Sequence, residues 1–313
     1  MKRIISAVIV MAATFAVSLS AMAQTKTKFQ DFNSFSGIYV NGPFEVSVRQ
    51  GYNYNVSWTV DEALMDYVEI YSRNHALNIE YNQKGIPSDL KKVYKGRNGR
   101  VAVLKVTVTL PEFSELNLTD SPVVDFGGVV FESGSLNIDA TGNAKITGLS
   151  FNADKATIKL SKKANLTMDL NANEIDLTTS DNAIAIITQD SDKMTLTSSG
   201  SSSISAKGKS MDVSANAQNS SKILLDGSAK DMVANAQNSS EVDASAMLLN
   251  DAELTVNSAT VIVNAAENLS VDLKGGAKVY FIEEPAIKVV NIQASTLTRY
   301  TGEVTRRKTL GIF

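Results

Sequence analysis

A single histidine, His75, sets the limit on acid–base chemistry in this 313-residue chain. A Ser–His–Asp triad would have to pass through it. It stands in Arg73-Asn74-His75, just before an alternating run that starts at Leu77, with no Gly-x-Ser-x-Gly nearby. It reads as a turn residue. One histidine and no cysteine leave no His or Cys cluster for a metal, no thiol nucleophile and no disulfide. Glu283 and Glu284 are the other tempting pair, because glycoside hydrolysis needs two carboxylates facing one bond. Neighbours on a strand point to opposite faces, and Pro285 behind them marks a strand end. The pair therefore reads as structural, and the expected catalytic, cofactor-binding and metal residues are none.

Two further groups point to recognition rather than catalysis. Lys91, Lys92, Lys95, Arg97 and Arg100, with Tyr94 among them, form a basic loop that either attracts acidic glycans or lipopolysaccharide or is simply solvated. The solvated reading is the expected one. The Ser and Asn runs at 198–203 and 218–221 offer hydroxyls and amides to sugars. The same residues serve turn hydrogen bonds and stacked ladders, which is the reading adopted for them. The Gly-His-Gly segment and clustered aspartates of β-helical polysaccharide hydrolases are missing, as are calcium-binding nonapeptides and EF-hand loops.

The elements that carry these residues repeat. Ala-Asn-Ala-Gln-Asn-Ser-Ser occurs at 215–221 and again at 234–240, an offset of 19. That register extends into a column of small residues: Ala144, Ala164, Ala183, Ser202, Ser221, Ser240, Ala259 and Ala277. Two residues after each stands Ile146, Leu166, Ala185, Ile204, Ile223, Val242, Val261 or Val279. Alternation of this kind marks a strand with one buried face. A second alternating run precedes each small residue, as in Leu136/Ile138/Ala140 and Val213/Ala215/Ala217. Between the two strands lie Gly142, Lys162, Asp181, Gly200, Asn219, Asn238, Asn257 and Gly275. All but Lys162 tolerate a left-handed backbone at low cost, so a corner with positive φ is expected at those seven, and Lys162 marks the place for a locally different turn. A polar return should complete the coil.

A unit of this length cannot bury its apolar face alone, but stacked copies can. The predicted fold is all-β, a single-stranded parallel β-helix of about 19–20 residues per coil over residues 111–285. Residues 35–110 are strand-rich without the 19-residue columns and are expected to cover one end of the stack. Asp61 to Tyr67 suggests a short helix, and 82–100 an exposed loop. Residues 286–313 form the closing segment.

Lys2 and Arg3, the uncharged run Ile4 to Ser20 and Ala21-Met22-Ala23 read as a signal peptide at 1–23, followed by a short leader at 24–34. Export from a Gram-negative-type cell follows, to the periplasm, the outer membrane or the cell surface, with no transmembrane segment in the mature chain. Without Lys2 and Arg3, 28 basic residues face 33 acidic ones, a formal charge of −5 that excludes nucleic acid as a partner.

Phe35-Ser-Gly-Ile-Tyr-Val-Asn-Gly-Pro-Phe-Glu-Val, with Val106-Thr-Val-Thr-Leu-Pro111 and Gly275-Gly-Ala-Lys-Val-Tyr280, resembles the family described as "putative auto-transporter adhesin, head GIN domain" over residues 35–285. The resemblance implies an exported β-solenoid and adhesion, with no ligand or binding residue to carry over. An auto-transporter ends in a membrane barrel, and the roughly thirty residues after Tyr280 are too few for one. The expected function is a non-catalytic envelope or surface protein binding glycan or protein. The alternative is a β-helical carbohydrate-active enzyme with unrecognised residues.

Overall fold

The computed structural model describes residues 24–95 and 99–301. The expected signal peptide, Arg97 and the end of the closing segment lie outside the described residues. From residue 130 the chain advances in long strands, one per coil. These are β10 (Val130–Ala140), β11 (Lys145–Leu160), β12 (Asn165–Thr179), β13 (Ile184–Ser199), β14 (Ser203–Gln218), β15 (Lys222–Gln237), β16 (Glu241–Asn257) and β17 (Thr260–Lys274). They are preceded by β1 (Thr25–Asp31), β2 (Gly37–Asn41), β3 (Glu45–Gln50), β4 (Asn55–Asp61), β5 (Val68–Arg73), β6 (Ala76–Tyr81), β7 (Leu104–Leu110), β8 (Glu115–Thr119) and β9 (Val123–Asp125). The shorter strands β18 (Lys278–Phe281), β19 (Ala286–Ile292) and β20 (Thr296–Arg299) end the stack. The fold is a β-solenoid of about ten turns with a strand-rich N-terminal region.

Successive coils pair in parallel, in the register that the columns predict. Ile204 lies against Ile223, and Ile223 against Val242, and all three are fully buried. The small column is buried throughout, and every apolar side chain of the coil interior belongs to one continuous core. φ is positive at Gly142, Lys162, Asp181, Gly200, Asn219, Asn238 and Gly275, as the corner requires. At the seventh corner it is Ser258, not Asn257, that is left-handed. The coil of β16 is one residue longer than its neighbour and bulges between Leu224 and Asp226 of the partner ladder, which moves its corner by one place.

The polar return is not a loop. The ladder continues through Phe131, Phe151, Leu170, Gln189, Gly208 and Gly227, giving each coil a third sheet face. Gln189 and Ser191 point inward there although they are polar, which hid the strand from a hydrophobicity reading. Gly208 and Gly227 take φ of 143° and 122°, and a Cβ on Gly208 would lie 1.7 Å from the Gln189 carbonyl oxygen. Only glycine fits this close approach.

The N-terminal strands join the same two ladders. β2 lies between β6 and β8, and β3 between β7 and β9, all in parallel. The chain thus starts in one layer, moves outward to build the layer of β6 and β7, then returns past the first layer to place β8 and β9 beyond it. On the outer side β5 pairs antiparallel with β6, and β4 with β7, and β1 covers β4. Phe113, Phe126, Phe131 and Phe151 fill the transition to the regular coils, with ring centroids 5.2–6.1 Å apart around Phe113. Glu62–Tyr67 is a 3₁₀ helix, and the expected loop at 82–100 contains a further 3₁₀ turn at Gln83–Gly85 and the helix α1 (Ser88–Tyr94).

Candidate functional site

The residues that the sequence offers for chemistry are dispersed. His75 is exposed in the turn between β5 and β6, where it and Asn74 both have positive φ. Glu284 accepts a hydrogen bond from Arg299 at 2.8 Å, and Glu283 is exposed. In the basic loop, Lys92 pairs with Asp89 on the helix surface. Arg100 instead binds the buried Asp61 at 2.5 Å and lies 5.7 Å from the Tyr94 ring centre. Asp61 also accepts from the Val103 amide, so this arginine is structural. Among the described residues no group of three or more His, Asp or Glu could hold a metal ion, and no helix is long and apolar enough to cross a membrane.

The Ser and Asn runs serve the coil. Ser221 and Ser240 donate to the carbonyls of Ser198 and Ala217, at 2.7 and 2.9 Å. Amides stack between coils, from Asn235 to Asn216 at 3.0 Å and from Asn238 to Asn219 at 3.3 Å. Each amide spends a donor on its own neighbour, as it would in a cross-β ladder.

A site emerges only where the fold departs from its repeat, on the outward face of β5, β6, β2 and β8. Cross-strand register sets Glu69, Glu80, Asn41 and Thr119 in one row. Two residues along the strands, Tyr71, Asn78, Tyr39 and Asn117 form a second row on the same face. The Tyr71 phenol donates to Glu80 and the Tyr39 phenol to Glu115, both at 2.7 Å. Both tyrosines lean the same way across the sheet. These hydrogen bonds are the main cause that raises each phenol above its ordinary pKa, so both are donors at neutral pH. Gly37, outward beside Tyr39, is buried, and a Cβ there would lie 3.2 Å from the Ala76 Cβ. The row of Glu69 and Glu80 opens into a groove of about 520 Å³, whose lining includes Asn82, Gln83, Lys84 and Asp120. Sequence reading missed this constellation because Tyr39 and Tyr71 meet only through pairings among β5, β6 and β2.

The family model described as "Putative auto-transporter adhesin, head GIN domain" matches residues 34–188 and 171–285. The chain belongs to this family. A "putative adhesin" of Parabacteroides distasonis shares 17% identity and a TM-score of 0.53, covering 89% of this chain and 98% of that one. Another from Parabacteroides merdae shares 16% identity and a TM-score of 0.51, covering 88% and 96%. At this identity the likeness is one of fold. No curated protein matches the chain. The family is one of adhesins by description, and no enzyme is indicated.

Proposed function

We propose that this head GIN domain protein is an exported, non-catalytic adhesin of the cell envelope or cell surface, which binds glycan or protein through the outward faces of its solenoid. The observation that carries this reading is the use of the interior. The interior of the described residues is filled by one continuous apolar core with a few inward Ser, Thr and Gln side chains, so the groups available to a partner sit on the open faces. The hydrophobic start at 1–23 and the absence of cysteine fit export through an envelope without reliance on disulfides.

The alternative, a carbohydrate-active enzyme, has one observation in its favour. Glu69 and Glu80 face each other directly on neighbouring strands, about 5 Å apart at Cβ. A general acid in such a pair is kept protonated by apolar surroundings. Glu69 is exposed, Glu80 is half-buried with one oxygen held by Tyr71, and the groove beside them is open. The experiment is a binding screen of the purified protein against glycans and extracellular-matrix proteins, run beside an assay for released reducing sugar. Binding without turnover is expected. Turnover abolished by Glu80→Gln would overturn the non-catalytic reading.

A further inference from the structure

The adhesin reading leaves open which face binds, and the distribution of aromatic residues narrows it. Between Phe151 and Tyr280 the chain has no Phe, Tyr or Trp. The long middle faces therefore have no ring on which an apolar sugar face can pack. They carry hydroxyls and amides already engaged with one another. At the N-terminal end, by contrast, Tyr71 and Tyr39 project from the same face two strands apart, with Asn78 between them.

We propose that Tyr71, Asn78 and Tyr39 form a platform for a neutral oligosaccharide of at least two linked pyranose units, bordered by Glu80 and Asn41. The inference rests on the adhesin reading and names its ligand class. Two strand spacings place the Cα atoms of the two tyrosines roughly 10 Å apart, about the end-to-end span of two linked pyranose rings. A pyranose has an apolar C–H face that packs on an aromatic ring, and equatorial hydroxyls that need donors and acceptors at its edge. Both rings are already immobilised by their hydrogen bonds to Glu80 and Glu115, so little side-chain freedom is lost on binding. Asn78 commits its amide nitrogen to the Ala76 carbonyl at 3.2 Å, which fixes the side chain and leaves its oxygen as an acceptor. Asn41 stands exposed on the neighbouring strand, across from Glu80.

Charge selects the class of sugar. Glu69, Glu80, Glu115 and Asp120 surround the platform and its groove, against Lys84 and Arg73, which lies two residues from Tyr71 on the same outward face. A uronic acid or phosphorylated sugar would approach a net negative charge, while a neutral chain meets acceptors suited to its hydroxyls. The basic helix surface at Lys91 and Lys92 does not line this groove.

A printed array of defined neutral and acidic oligosaccharides, from one to six units, tests the assignment with the purified protein. Neutral chains of two or more units should bind, and single sugars or acidic chains should not. Tyr71→Ala and Tyr39→Ala should each lower the affinity about tenfold, equivalent to ~1.4 kcal/mol. Tyr71→Trp keeps a ring in place and should retain binding, with its fluorescence shifting on addition of the bound sugar. It remains informative if the alanine variants fail to fold. Tyr52→Ala, at a fully exposed residue in the turn between β3 and β4 and outside both rows, should change nothing. Binding of acidic chains alone, neutral binding unmoved by both alanine substitutions, or Tyr71→Trp fluorescence unmoved by bound sugar would overturn the platform. Retained binding to matrix proteins with no glycan bound would overturn it while sparing the adhesin reading. Loss of both kinds of binding would sink both.

Discussion

The hydroxyl of Ser221 connects two coils at once: it accepts from the Gln218 amide at 3.0 Å and donates to the Ser198 carbonyl at 2.7 Å. The same pair of bonds recurs at Ser240, to Gln237 and Ala217. Where the corner carries two consecutive left-handed residues, Asn219–Ser220 and Asn238–Ser239, the amide before the corner turns inward and needs this acceptor. Ala164 and Ala183 stand at the equivalent place in earlier coils, whose corners have a single left-handed residue. Corner shape alone does not set the exchange of alanine for serine in this buried column: Ser202 accepts from the Ser199 amide after a corner with one left-handed residue, Gly200, and Ala277 follows the two left-handed glycines Gly275–Gly276.

Ser221→Ala should consequently cost more than its single oxygen suggests. It leaves a buried amide without its acceptor, a loss of about 1–3 kcal/mol. Ala183→Ser adds a hydroxyl to a corner whose amides are already paired within the backbone, and should also destabilise, by about 1 kcal/mol. Urea titration of both variants checks the expectation. A neutral Ser221→Ala would mean that water replaces the hydroxyl.

The register of the coils makes a second prediction. Ile223→Asp places a charge in the fully buried column between Ile204 and Val242 and should cost several kcal/mol. Lys222, its outward neighbour, is half-exposed at 58% and pairs with Glu241 at 3.0 Å. Lys222→Asp sets like charges side by side on the surface and should cost only about 0.5 kcal/mol. Equal losses in denaturant melts would contradict the assigned faces.

How much of this was legible depended on whether a residue left a periodic trace. Ile204 and Ile223 are found by counting, because stacking repeats the same environment every coil. Gln189, Gly208 and Gly227 occupy an equally regular inward column, yet a polar residue and two glycines carry no hydrophobic signal. Asn257 and Ser258 were exchanged because one inserted residue displaces the corner while leaving the flanking strands intact. The platform was illegible for a different reason. Tyr39 meets Tyr71 through a strand order in which β2 lies beside β6, and such non-local pairings leave no mark on either segment's composition.

The two tyrosines also give a pH dependence. Their pKa values are raised in the fold, chiefly by the hydrogen bonds to Glu115 and Glu80. A raised value means that the folded state favours the protonated phenol, so the contribution is complete below the unfolded value near 10 and is lost as the pH climbs through the higher folded value. Both sites are largely solvated, so the effect should be small. Stability should decline above about pH 10, and Tyr39→Phe with Tyr71→Phe should decline less steeply over the same range. Chemical denaturation between pH 8 and about 12 measures the two slopes. Parallel slopes would show that the phenols contribute nothing through ionisation.

The corner column provides the sharpest test of local backbone shape. Lys162 sits at φ 61° with no glycine or asparagine to ease that conformation, and its amide donates to Asp181 at 3.1 Å regardless of side chain. Lys162→Gly removes the steric cost of the left-handed state, but glycine also gains freedom in the unfolded chain. The first effect should prevail, and the variant should be stabilised by up to about 1 kcal/mol. Asn257→Gly is the control in the coil where the corner has moved. Asn257 is not left-handed, so glycine there brings its entropic penalty, a loss of about 0.5–1 kcal/mol, and removes the exposed bond from the Ser258 hydroxyl to the Asn257 side chain. Gly200→Val sets the opposite limit. Its Cβ would lie 2.9 Å from the Asp181 carbonyl oxygen at φ 75°, so strain and collision add, and a loss of about 1–3 kcal/mol or more is expected. Thermal melts should therefore order the variants Lys162→Gly, wild type, Asn257→Gly and Gly200→Val. A stabilised Asn257→Gly would place the left-handed residue of the seventh corner at 257 after all, and the bulge in β16 would have to lie elsewhere.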